Sequence, residues 1–137
     1  MKTAVLILLV LALLPAGDNV EPPALGFEVL AGFDYKAGMK LPEEVSKYHK
    51  KKVKVGGFMK TEDGSEGEVE FFILVNDACG CEGTPKLNEM VFCAMPEGET
   101  VKIKPGIADV IGTLFVEEEK EDGVVVSLYT MDVESVK

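Results

Sequence analysis

The sequence predicts a mainly β protein, a small OB-like β-barrel with one short N-terminal helix. Three observations carry that expectation. Apolar and polar residues alternate with a period of two in several stretches after residue 52. Connections rich in Gly and acid separate those stretches. A short proline-led segment with ordered charges precedes them. Five or six short strands after one early helix suit a small closed barrel.

Residues 1–16 read as an export signal. Lys2 supplies the positive start, and residues 4–14 form an unbroken apolar run of eleven residues. A membrane-spanning helix needs roughly 20 apolar residues, whereas the core of an export signal needs about 7–15. Pro15 breaks the run before Ala16, where cleavage is expected, although Leu14 is a bulky occupant of the third position before the cut. An uncleaved segment would instead tether the chain to a membrane. Residues 17–32, with Gly17, Pro22 and Pro23, read as a flexible lead, and residues 33–137 as a single barrel domain.

The helix is expected just after Pro42, which suits a first helical turn. Glu43 and Glu44 favour its positive end, and Lys47, His49 and Lys50 its negative end. Lys52-Val53-Lys54-Val55 then alternates, as does Val101-Lys102-Ile103-Lys104. Glu68-Val69-Glu70-Phe71 begins by alternating and turns wholly apolar through Val75, as a buried, central barrel strand does. Residues 90–95, 112–116 and 124–133 supply further strands, and Asp122-Gly123 signals a tight hairpin turn.

Composition excludes one class of partner. The formal net charge is −10, or −11 once Lys2 leaves with the signal, and every basic residue apart from His49 is lysine. Nucleic-acid binders present basic faces in which arginine makes bidentate contacts. This acidic chain suits solubility in an exported setting, periplasmic or extracellular, with a protein partner conceivable and nucleic acid not.

The cysteines are the main candidates for chemistry. Cys79-Gly80-Cys81 follows the apolar strand and is flanked by Asp77 and Glu82. Two thiolates one residue apart suit a soft metal ion, zinc or copper, and Asp77, Glu82 or His49 are available as further ligands. Redox chemistry competes, because an oxidising compartment pairs free thiols and three cysteines leave one over. A Cys79–Cys81 disulfide would close a very tight, strained ring. Cys93 shares a strand face with Val91 and Met95 and reads as a core residue.

His49 is explained by the end of its helix without catalysis, since no nucleophile or acid stands at a recognisable triad spacing. The acidic run at 117–122 lacks the ligand order of a calcium loop and reads as a solvated hairpin tip. No phosphate-cradling glycine loop is present.

One stretch, Cys81-Glu82-Gly83-Thr84-Pro85-Lys86-Leu87-Asn88, resembles the Cys-Phe-Gly-x-Pro-x-x-Asn segment of an uncharacterised family of exported bacterial proteins. In other members that loop reads Gly-Ala-Cys-x-His, followed by several prolines and Asn-Gln. Cys79 would then take the Cys position, Cys81 the His position, and Asn88 the Asn. Supporting similarity runs through Lys52-Val53-Lys54-Val55-Gly56-Gly57-Phe58-Met59, Gly112-Thr113-Leu114 and Val126-Ser127-Leu128-Tyr129. The resemblance implies an OB-like fold and no established activity. It also implies a metal role for Cys79 and Cys81, because a position taken by either His or Cys tolerates coordination but not a disulfide. Here the proline run shrinks to Pro85, and Glu82 stands in place of an aromatic or aliphatic residue.

The sequence therefore points to an exported, non-enzymatic binding module that holds zinc or copper through Cys79 and Cys81. A thiol–disulfide redox protein and a purely structural interaction domain are the alternatives.

Overall fold

The structure, a computed structural model, describes residues 21–77 and 83–137. The expected export signal, residues 17–20 of the lead, and Cys79 and Cys81 lie outside the described residues. In chain order the elements are α1 (Phe27–Leu30), α2 (Glu43–Ser46), β1 (Lys51–Lys60), β2 (Glu68–Val69), β3 (Phe71–Val75), a 3-10 turn (Leu87–Glu89), β4 (Met90–Ala94), β5 (Val101–Lys102), β6 (Ile107–Glu121) and β7 (Val124–Val136).

Five strands close into a ring in the order β1-β3-β4-β7-β6, with β6 returning to β1. Every junction is antiparallel except β4 with β7, which run parallel. This is the small mainly β barrel that the alternation predicts. Strands β2 and β5 pair separately as a two-stranded sheet, so only Val101 and Lys102 of the alternating 101–104 stretch form a strand.

The alternation sorts the side chains. Val53, Val55 and Met59 of β1, Leu114 and Val116 of β6, and Tyr129, Met131 and Val133 of β7 point into the core. The β6–β7 hairpin turns on Asp122 (φ 51°) and Gly123 (φ 79°), the two consecutive left-handed residues of a two-residue hairpin. Its acidic arm is largely exposed, as the solvated-tip expectation requires. Gly112 sits at a register shift between β6 and β7, where a Cβ would run into the Asp132 carbonyl oxygen. At Gly57 a Cβ would come within 2.8 Å of the Val75 carbonyl oxygen and 3.1 Å of the Phe27 ring. These close approaches let β1 and β6 bend around the core.

Three expectations need correction. Residues 21–32, expected to belong to a flexible lead, pack on the barrel. Ala24 bridges Lys54, Leu25 N–H donates to the Lys54 carbonyl at 2.8 Å, and Leu25, Phe27 and Leu30 enter the core. Each such side chain contributes roughly 1.5–3 kcal/mol by burial, enough to hold a segment that Pro22, Pro23 and the flanking glycines make look irregular. Second, the described residues hold two one-turn helices, not one. The expected α2 ends at Ser46, so Lys47 caps it and His49 and Lys50 fall in the turn beyond. A single turn has too short a dipole to account for His49. Third, β3, expected to be a buried strand, is covered on its outer face only at its end: Phe72 and Leu74 point in and Val75 is buried, while Phe71 is exposed and Ile73 half-buried on the outer face.

Candidate functional site

The outward face of β3, β4 and β7 forms a groove. Its floor follows from the register, in which Phe71 lies opposite Ala94, Ile73 opposite Phe92, and Phe92 opposite Thr130. In a pleated strand, residues two apart share a face. Phe71, Ile73, Phe92 and Ala94 therefore make one apolar surface on the outside of the ring. Phe71 is 68 % exposed, whereas its neighbour Phe72 is 2 % exposed.

Walls rise on both sides. The connection from β1 to β3 contributes Thr61, Glu62, Asp63, Ser65, Val69 and Glu70. Glu119 of β6 and Asp132 of β7 close the other side. The trough holds about 790 Å³. The first wall is shaped by a local turn, in which Asp63 Oδ1 accepts from Ser65 Oγ at 2.6 Å and from Ser65 N–H at 3.0 Å. Those bonds, the hydroxyl's first, lower the Asp63 pKa and favour its charged form. Opposite, Ser127 Oγ donates to Glu119 Oε2 at 3.2 Å and steadies that carboxylate.

Among the described residues, the carboxylates lining the groove are Glu62, Asp63, Glu70, Glu119 and Asp132, and no Lys, Arg or His lines it. A smaller depression of about 430 Å³ elsewhere carries the opposite bias, with Lys60, Lys102 and Lys104 against Glu66.

Cys79, Cys81 and Glu82 lie outside the described residues. His49 is engaged, its Nδ1 accepting from the Val116 N–H at 3.0 Å and its ring meeting Phe115 edge-on at 6.1 Å. That bond ties the turn after α2 to the strand beyond the last β1–β6 pair, a structural role that replaces the helix-end explanation. Cys93 is a free, buried thiol whose Sγ lies 3.6 Å from the Val91 carbonyl oxygen, and burial pushes its pKa strongly upward. It is a core residue, as its strand position implied. Asn88 is buried too, with Nδ2 donating to the Phe33 carbonyl at 2.7 Å, so it pins the 3-10 turn to the segment before α2. Among the described residues no group of three His, Cys, Asp or Glu side chains is placed to hold a metal ion.

Sequence reasoning missed the exposed Phe71 and the half-buried Ile73 and Phe92 as residues of the outer face. A signal was present. In a five-stranded barrel one strand face points to the core and the other to solvent, so an apolar run on both faces implies an uncovered outer patch.

Comparison with known proteins finds no matching family model and no matching curated protein. Among solved structures the fold is similar to that of a DUF3299 family protein from Pseudomonas aeruginosa, with a TM-score of 0.58 and 19 % identity. The match covers 85 % of this chain and 95 % of that one. At that identity the likeness shows a shared fold, and it is a likeness to an uncharacterised family.

Proposed function

We propose that the protein is a non-enzymatic binding module of an exported compartment, and that the β3–β4–β7 groove is its binding surface. The compartment follows from reading residues 1–16 as an export signal. The groove carries the rest. In five-stranded OB-type barrels, ligands lie across the second and third strands, between the loop joining strands one and two and the loop joining strands four and five. Counted around this chain's ring, those are β3 and β4, the 61–70 connection, and the β6–β7 hairpin, which supply this groove. Placement by fold is an analogy, but the exposed Phe71 is an observation of this chain.

Binding suits the lining better than catalysis does. Among the described residues the lining holds no histidine, and its cysteine, Cys93, is buried with its thiol held in the protonated form. An uncharged solvatochromic dye such as Nile red tests the reading. Its emission should rise with the full chain and fall back with Phe71→Ser, and an equal rise with both proteins would sink the proposal.

A second reading concerns Cys79 and Cys81. Their spacing favours a soft metal ion, zinc or copper. With His49 bonded to Val116, the further ligands nearest in sequence are Asp77 and Glu82.

A further inference from the structure

We infer that the groove receives an extended, cationic segment of another polypeptide, with apolar side chains on the Phe71–Phe92 floor and lysine or arginine against the carboxylate walls. This rests on the groove being the binding surface and names what it binds.

Charge is the first argument. Among the described residues five carboxylates and no base line the groove, while lysines gather at the smaller depression, so the acidity is sided and not simply the average of the chain. The ion pairs among the described residues are Lys52–Glu134 and Lys54–Glu21, which leave all five groove carboxylates outside them. A strongly acidic wall repels phosphate backbones and attracts cations, which excludes nucleic acid and favours a basic partner.

Shape is the second argument. Small-molecule sites enclose most of their ligand, whereas this trough is open along the sheet, with Phe71 still largely in water. An open floor crossed by three strands suits a chain lying along it. A second copy of this protein is disfavoured by the net charge of −10 on each, although its Lys60, Lys102 and Lys104 face would complement the groove.

Two fluorescently labelled peptides of equal apolar content, Lys-Phe-Lys-Leu-Lys and Glu-Phe-Glu-Leu-Glu, titrated with the full chain provide the test. The lysine peptide should bind about tenfold or more tightly than the glutamate peptide, and salt should erase the difference. Glu62→Gln/Glu70→Gln/Asp132→Asn should remove the preference without lowering the melting temperature, and Phe71→Ser should weaken the lysine peptide. Equal affinity for the two peptides, lost together in Phe71→Ser, would overturn the charge inference and leave the groove reading intact. Binding of neither peptide overturns this inference, and if the dye signal is also absent the groove reading fails with it. Concentration-dependent self-association abolished by Lys102→Glu/Lys104→Glu would assign the groove to a second copy and overturn the inference.

Discussion

The Tyr129 hydroxyl donates a 2.6 Å hydrogen bond to the Leu30 carbonyl oxygen, ninety-nine residues away in sequence. Both residues are fully buried, and burial pushes the Tyr129 pKa strongly upward. The bond fastens the N-terminal segment to the strand that closes the ring. It satisfies a helix-end carbonyl that would otherwise be orphaned in the core. Tyr129→Phe keeps the ring but strands that carbonyl. The expected cost is about 1–3 kcal/mol, read as a lower urea midpoint with an unchanged slope. Limited proteolysis should cut near residues 21–32 sooner in the variant than in the parent.

Adjacent phenylalanines should behave oppositely. Phe72 is in the core and Phe71 is on the groove floor. Phe72→Ala is expected to cost roughly 3–5 kcal/mol, since it leaves a cavity. Phe71→Ser should lie within about 0.5 kcal/mol of the parent, as surface substitutions do. Thermal denaturation of the pair checks the register of β3, because a slip of one residue would exchange the two outcomes.

The buried Cys93 thiol predicts a loss of stability in alkali. Its folded pKa lies above the ordinary value of 9.0, with burial as the cause. Above about pH 9 the unfolded chain therefore releases a proton that the native state retains, and stability falls by up to ~1.4 kcal/mol per pH unit. Below that pH both states are protonated and the thiol has no effect. In a Cys79→Ser/Cys81→Ser background, replacing Cys93 by Ala should flatten the fall in urea midpoint between about pH 9 and 10. The Tyr35 hydroxyl, raised to about 12 by burial and then by the neighbouring Glu118 carboxylate, acts in the same direction from about pH 10 upward.

Elemental analysis of anaerobically purified protein tests the Cys-x-Cys reading. Near-stoichiometric zinc or copper is expected in the parent, and its loss in Cys79→Ser/Cys81→Ser. Protein free of both metals, prepared in their presence, would refute coordination.

The Asp77 side of β3 shows how far sequence reasoning reached. The strand's existence and its placement before the cysteines were legible, because apolar β-formers cluster at 71–75. The groove was not, because an apolar run states that both faces are apolar and says nothing about what covers them. The docked segment at 21–32 was hidden in the same way. Its apolar residues, Leu25, Phe27 and Leu30, are too few to show a period, and their destination is a barrel assembled from residues 51–136.

By itself the sequence determined the local grammar of this protein. Alternation assigned inward and outward faces on β1, and Asp122-Gly123 set the β6–β7 hairpin, since both depend on backbone preferences within a few residues. Tertiary structure alone decided the ring order, with its parallel β4–β7 junction, and the seating of α1 beneath Tyr129. It also decided that Phe71 is exposed, beside a half-buried Phe92 on the outer face, between carboxylate walls. Each of those outcomes depends on which distant segments pair. That choice is made by burying the most apolar surface at once, a sum over the whole chain that no local window contains.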